Sequence, residues 1–473
     1  MTDTVLVINQ NDAQTQIVLR MLRAEQINAW LMPGNVTLEE IISCAPHGLI
    51  VSGGSSGHPE SSFDENWLRA DLPMLALGDS ALALLTHLGG KARGEPLSTG
   101  VHALTRYDCP LLRDLNDNER YLRNVLPLEL SGLLCPSVAV REDCIGFHHQ
   151  NLPLYGLQLH VESNDPDAAR ILTLFALEVC RCSRRWSSDT IISDGIALIR
   201  GKVGEGVALC ELTGGVDSGV CALLGHMALS AKLSCYFVDS GLLRERIREE
   251  TLSLFGEKLG LDIQVVEAGE RFQSALAGIV SPHEKTSVIR QLLHQIRTEQ
   301  AERANARVIF SSMNASDLIS GEAVYGNLGA APIAQLFKDE VRRLGEVLGL
   351  PPALCGKQPF PATGLALRIK GEVTPERLSM LRHADAIWSD EAEKAGQAHR
   401  IWRHFPMLLP VDGGCLICLR AVNTVEYAGA QPARLPYELP EAAANRIISE
   451  VHGVTRVMYD FTPVSSRTEL EWD

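Results

Sequence analysis

Aromatic residues make up only 5% of the 473 positions, and basic residues are outnumbered, with Lys+Arg 43 against Asp+Glu 58 and a net charge of −15. That balance weighs against general binding to nucleic acid or an anionic membrane, because phosphate neutralisation needs the opposite sign, and leaves open only a local basic patch. No apolar run reaches the ~18 residues a membrane helix needs. The opening residues lack a basic stretch followed by an apolar one, so no signal peptide is expected. Internal repeats and low-complexity tracts are absent as well. The twelve cysteines are scattered, unlike the framework of a small secreted scaffold, which points to reduced thiols and a cytoplasmic location. What is present is ordinary for a globular chain: 45% hydrophobic and 21% charged residues. At ~150 residues per domain the length predicts about three domains, and the expected class is a multi-domain α/β enzyme.

Short apolar runs alternate with amphipathic ones. Residues 5–8, 48–51 and 73–77 read as buried strands, with helices over 16–22 and 81–88, the pattern of a parallel sheet covered on both faces. Around 152–160 the pattern turns antiparallel, a helical stretch over 167–182 follows, and the polar run 183–189 reads as a linker. A second α/β segment has strands at 207–212, 233–238, 261–266 and 307–310, with a helix over 219–229. From about residue 356 the chain is richer in proline and mixed, with strands at 416–422 and 454–461 and a helix over 442–451. The fold class is therefore α/β, with segments at 1–183, 184–355 and 356–473.

The strongest chemical signal is Glu211-Leu212-Thr213-Gly214-Gly215-Val216-Asp217-Ser218, set between a strand and a helix. Two glycines let backbone N–H groups approach an anion without Cβ interference. Thr213 and Ser218 add hydroxyls, and the following helix offers free N–H groups and the positive end of its dipole. Such a nest suits a pyrophosphate.

This string resembles the pyrophosphate loop of the N-type ATP pyrophosphatases, whose usual form has Ser where this chain has Thr213. The resemblance implies ATP as cosubstrate, split between the α and β phosphates. Thr213, Gly214, Gly215, Val216, Asp217 and Ser218 would be phosphate-binding, and Asp239, in the next strand-end string 237–244, would serve the adenosine. More of the chain is similar to the GMP synthetase family: Arg271-Phe272 with residues 275–278, residues 336–342, Pro359-Phe360-Pro361 with Gly364-Leu365 and Arg368, residues 419–422 and 445–448, and the final Glu471-Trp472. The order and spacing of these strings make the likeness nearly full-length. It implies a flavodoxin-like glutamine amidotransferase domain, an adenine-nucleotide alpha-hydrolase-like ATP pyrophosphatase domain, both doubly wound, and a smaller α+β dimerisation domain. It further implies a homodimer, Mg²⁺ held by Asp217, catalytic roles for Asp217, Ser218, Lys338 and Asp317, and substrate contacts from Arg271, Phe360, Arg368, Arg420 and Glu471. Lys285 is a second candidate phosphate partner by its matched position, with a solvated surface lysine as the alternative.

Three departures from the family pattern bear on function. The amidotransferase nucleophile should be a cysteine on the turn after the third strand, but the matching position is Gly78, followed by Asp79 and Ser80. His160 and Glu162, with Ser52-Gly53-Gly54, remain as the rest of that site. A degenerate glutaminase is expected, with takeover by Ser80 as the alternative. The family's long histidine-bearing lid is cut short over 316–332, where the chain is locally similar to NAD synthetase. The family's C-terminal Gly-Lys-Pro-Pro reads Pro463-Val464-Ser465-Ser466-Arg467, and its Pro-Gly-Pro-Gly turn reads Pro361-Ala362-Thr363-Gly364, which is stiffer. An XMP-like purine and an unphosphorylated analogue both remain open as small-molecule substrate.

With the glutaminase position empty, the nucleophile would be free ammonia, ammonia from a separate donor protein, or sulfur from a donor or a cysteine persulfide. Cys415 and Cys418, on one strand, cannot complete a zinc site and face opposite sides. Burial as small hydrophobes is the simpler role for most of the cysteines. A catalytically silent nucleotide-binding regulator is the remaining alternative.

Overall fold

The computed structural model describes residues 3–10, 14–53, 63–113, 115, 119–159, 161–319, 329–424 and 430–463. The chain forms two compact units, Met1–Asp194 with Ala315–Ala323, and Gly195–Asn314 with Val324–Asp473.

In the first unit the strand Val5–Asn9 is wholly buried, as a β-branched run between two helical layers should be. It lies between Ala29–Pro33 and Gly48–Gly53, all parallel, and Gly48–Gly53 continues in parallel to Met74–Gly78 and then Leu154–Leu157. Helix Gln14–Ala24 buries Val18, Leu19, Met21 and Leu22, a helical stripe against this sheet. The sheet does not stay parallel. Leu154–Leu157 pairs antiparallel with Asp143–His149 on its other edge, and Leu134–Val140, Gly100–Arg106 and Glu119–Leu122 complete nine strands. The expected antiparallel turn near 152–160 thus falls on the strand where the sheet changes direction.

In the second unit five parallel strands run Ile263–Glu267, Leu233–Asp239, Val207–Glu211, Ala306–Phe310 and Gly329–Ala330 across the sheet. The chain leaves Val207–Glu211 toward one edge, then returns to its other side. That reversal opens a crevice beyond the carboxyl ends of the central strands, where open α/β sheets bind ligands. An antiparallel sheet follows, with Arg403–Val411 paired to Gly414–Thr424, and Val454–Tyr459 parallel to the latter. The register Val411↔Gly414 leaves the two-residue loop Asp412-Gly413. Asp-Gly between apolar runs is the hairpin signal that could have located strand Arg403–Val411. Pro406 and Pro410 obscure it, and they are tolerated because this strand lies at the sheet edge.

One apolar core joins these two sheets: Leu209 and Tyr236 from the parallel sheet, Phe272 and Ile296 from its helices, and Trp388, Ile417 and Ile447 from the later segment. Cys415 belongs to this core while Cys418 packs with Phe405 and Met407 on the opposite face, as their spacing on a strand requires.

Candidate active site

The glycine loop joins strand Val207–Glu211 to helix Val216–Leu229. The helix begins at Val216, three residues earlier than residue 219, because Gly215 is its N-cap and the loop feeds it directly. No side chain caps this end, so its first N–H groups are left for a ligand. Gly214 has φ +77°, and a Cβ there would stand 2.8 Å from Thr251 Oγ1 and 2.9 Å from Ile247 Cγ2. The hydroxyls shape the loop: Thr213 N donates to Ser218 Oγ at 3.1 Å, the two hydroxyls lie 3.1 Å apart, and Ser218 Oγ donates to Gly215 O at 3.1 Å.

Asp217 is in the first turn of that helix. Its Oδ2 accepts from Lys338 Nζ, and its Oδ1 is buried with no hydrogen-bond partner. Lys338 opens helix Lys338–Val347, which is anchored by Phe337 N donating to Glu340 Oε2 at 2.8 Å. This helix lies tight against the loop helix: a Cβ on Gly345 would meet Val216 Cγ2 at 3.3 Å.

Loop, Asp217 and Lys338 line a cleft of about 180 Å³, together with Phe237, Val238 and Ser240 from the next strand end and Arg244, Phe360 and Pro361. Two guanidinium groups lie over the Phe360 ring, Arg244 at 5.0 Å and Arg368 at 5.2 Å from its centre. Both arginines pair with Asp385: Arg244 Nε lies 2.7 Å from Oδ2, and Arg368 Nη1 donates to Oδ1 at 3.0 Å. Glu211, also on the cleft wall, accepts from Tyr236 Oη at 3.1 Å and from Arg297 Nη2 at 3.3 Å. Burial, reinforced by the Glu211 charge, raises the Tyr236 phenol well above its ordinary range.

The structure thus brings Thr213, Gly214, Gly215, Val216, Asp217, Ser218, Lys338 and Phe360 together. Others stand elsewhere. Asp239 is engaged by Gly241 N at 3.1 Å and Arg248 Nη1 at 2.9 Å, and its neighbours Val238 and Ser240 line the cleft. Arg368 is 2% exposed, and its guanidinium lies over Phe360, which lines the cleft. Arg271 forms a two-pronged surface pair with Glu299 at 2.8 and 2.9 Å. Arg420 is buried and donates to Thr462 O at 2.8 Å. Asp317 lies on the short helix Ala315–Ile319, which belongs to the first unit. Glu471, Arg467 and most of the shortened lid lie outside the described residues. Lys285 is neither a solvated surface lysine nor on the cleft lining: it is 1% exposed, with Nζ donating to Ile369 O at 2.7 Å and Gly371 O at 2.6 Å. Burial, with the nearby Arg377 charge, lowers its ammonium to about 8. Asp385, Gln358 and His404 were missed, since a lone polar residue in an apolar run carries no local signature.

In the first unit Gly78 sits between strand Met74–Gly78 and helix Asp79–His87 with φ 62° and ψ −131°. This is the sharp, strained strand-to-helix turn that nucleophile elbows use, with no side chain on it. Ser80 is fully buried and its Oγ has no hydrogen-bond partner. Glu162 is exposed, and His160 lies outside the described residues. Leu77, Leu157, Leu159 and Val161 flank these positions and line a cavity of only about 10 Å³, beside Arg120 paired with Asp165 and Asp167.

Comparison with known proteins places this geometry. The NAD synthase family model matches residues 197–372, and the GMP synthase C terminal domain model matches residues 390–472. The chain is 32% identical to GMP synthase [glutamine-hydrolyzing] of Haemophilus influenzae, covering 99% of this chain and 98% of that protein. It is equally 32% identical to the enzyme of that name from Caldanaerobacter subterraneus, covering 100% and 99%. With a glycine loop, a paired Asp217–Lys338 and likeness over nearly its whole length, the chain belongs to the GMP synthase family.

Proposed function

We propose that the protein is an ATP-dependent, AMP-forming C–N ligase that adenylates a carbonyl oxygen of a purine-type small molecule, XMP-like or unphosphorylated. A nitrogen nucleophile from outside its own amidotransferase-like unit, ammonia in the simplest case, then displaces AMP. The observation that carries this is the Asp217–Lys338 pair at the mouth of an uncapped glycine loop. The loop N–H groups and Lys338 take the departing pyrophosphate, and Thr213 and Ser218 hold the loop in shape. Asp317 stands as a candidate catalytic carboxylate, Asp239 as the adenosine-side residue, and Arg271, Arg368, Arg420 and Glu471 as candidate substrate contacts. The modules are 1–183, 184–355 and 356–473, in a homodimer.

Mg²⁺ fits this site in one specific manner. Among the described residues no group of three or more His, Cys, Asp or Glu could hold a metal ion. Asp217 Oδ1, however, is a buried acceptor without a partner. Mg²⁺ is commonly held by one or two carboxylates plus substrate phosphates, and Asp217 would supply the protein's share. An ion held by Asp217 would supply charge neutralisation for the leaving pyrophosphate.

Three observations support a nitrogen source outside the first unit: the bare Gly78, the buried Ser80 and the mere 10 Å³ of the cavity that Leu77, Leu157, Leu159 and Val161 line. Cys210 and Cys221, flanking the loop, are buried and their thiols are pushed well above the ordinary range, which weighs against a persulfide on either. The test is pyrophosphate release on adding ATP, Mg²⁺ and a panel of purines, with mass spectrometry of the product. A mass showing nitrogen gained supports the reading. Sulfur gained, or nucleotide binding without turnover, overturns it. Among the described residues no helix is long and apolar enough to cross a membrane.

A further inference from the structure

Between strand Leu233–Asp239 and helix Ile247–Thr251 the chain forms no helix or strand. Three residues of this stretch, Ser240, Leu243 and Arg244, nevertheless line the cleft with the glycine loop. The stretch closes its own turn with two bonds: Gly241 N donates to Asp239 Oδ1 at 3.1 Å, and Leu242 N to Ser240 Oγ at 3.2 Å. Both bonds use N–H groups. The carbonyls of the turn need donors from elsewhere.

Those donors come from a segment more than a hundred residues later. Leu365 N donates to Leu242 O at 2.8 Å. Gly364 permits this approach, since a Cβ there would stand 2.4 Å from the same oxygen. Arg382 takes the carbonyls on either side: its Nε donates to Leu243 O at 2.9 Å and its Nη2 to Gly241 O at 2.5 Å. The carbonyls of Gly241, Leu242 and Leu243 are therefore all held from outside the loop. Arg382 lies on helix Pro375–Lys394, and one turn further along the same face Asp385 pairs with Arg244, Nε to Oδ2 at 2.7 Å. A guanidinium presents its donors in a rigid planar fork. Two bonds from one such group fix both the place and the tilt of the loop. Arg382 does not itself line the cleft, so it acts there through the residues it holds.

We propose that Arg382 is a positioning residue for the nucleotide. It sets where Ser240, Leu243 and Arg244 stand relative to the glycine loop, and so how the adenosine part of ATP is held while the phosphates lie on the loop. The proposal rests on the ATP reading above. The glycine loop is shaped separately, by Thr213 and Ser218. Loss of Arg382 therefore acts on one end of the nucleotide and spares the other.

Isothermal titration of the full chain tests this, with ATP, AMP and inorganic pyrophosphate, each with Mg²⁺. Arg382→Gln should weaken ATP and AMP roughly ten- to a hundredfold, the scale of a loop misplaced by about 1 Å, with pyrophosphate affinity unchanged. Arg382→Lys keeps a donor without the fork and should fall between the wild type and Arg382→Gln. A general loss of structure would weaken all three ligands together. The proposal is overturned if pyrophosphate weakens as much as AMP, or if AMP affinity does not change. Should Arg382→Gln not fold, Arg382→Lys carries the test on the same two criteria. Failure of ATP or pyrophosphate to bind the wild type removes the reading of the glycine loop instead, a distinct result.

Discussion

Lys338 Nζ sits on one oxygen of Asp217 and leaves the other buried without a partner. The two residues are 121 positions apart in the chain, and they meet because helix Lys338–Val347 packs against the helix that starts in the glycine loop. A cation and a half-satisfied carboxylate beside free helix N–H groups form a place where phosphate charge and a metal ion are both stabilised.

Lys338→Met should lower pyrophosphate release by roughly 10²-fold or more, the cost of removing one aimed charge from a charge-developing transition state. Asp217→Asn should act in the same direction and also raise the Mg²⁺ concentration needed for half-maximal rate. Pyrophosphate release measured against Mg²⁺ checks both. Unchanged release by Asp217→Ala would overturn the loop assignment.

The first unit should not hydrolyse glutamine. Purified protein is expected to release no glutamate from glutamine, with or without ATP and a purine substrate. Glutamate release that is abolished by Ser80→Ala would show that Ser80 has taken over the nucleophile's role. Gly78→Ala should destabilise the fold by about 1–3 kcal/mol, the usual cost of a side chain in a sparsely populated backbone region, measured by urea unfolding.

Lys285 acts as a strut between helix Pro282–Arg303 and the 366–371 segment. Lys285→Met should leave the carbonyls of Ile369 and Gly371 without their donor and cost about 1–3 kcal/mol of stability, while the KM for ATP stays unchanged. A large rise in that KM would restore Lys285 as a phosphate partner.

Burial, with the Arg244 charge, holds His404 neutral and lowers its pKa to about 4. Its unfolded value is about 6.5. Because the folded value is the lower one, this stabilisation is fully present above about pH 6.5 and is lost as pH falls toward 4. The integrated effect is on the order of 3 kcal/mol. Unfolding free energy measured from pH 7 to pH 4 should fall more steeply in the wild type than in His404→Gln. Parallel slopes would exclude His404 as the titrating group.

Local patterns were legible wherever chemistry is contiguous. The Gly214-Gly215 turn, the strand before it and the helix after it are neighbours in sequence, so composition and spacing alone placed a phosphate nest there. Strand Arg403–Val411 was hidden by Pro406 and Pro410, because their tolerance depends on the strand lying at an edge, which no local window reveals. Arg368 and Lys285 stand in matched strings that suggest ligand contacts, but their surroundings were not legible there: the guanidinium of the first lies over Phe360 and Phe405, and the second is buried under backbone carbonyls.

By itself the sequence determined the α/β class, the glycine loop, the absence of a nucleophile at Gly78 and the likeness to one family. These depend on residue identity and short-range spacing. Only the tertiary structure decided that Lys338 meets Asp217, that Arg244, Asp385 and His404 form one wall beside the loop, and that Arg271 pairs with Glu299. Those contacts join positions tens to more than a hundred residues apart, and which of them form is set by how the helices and sheets bury their apolar faces.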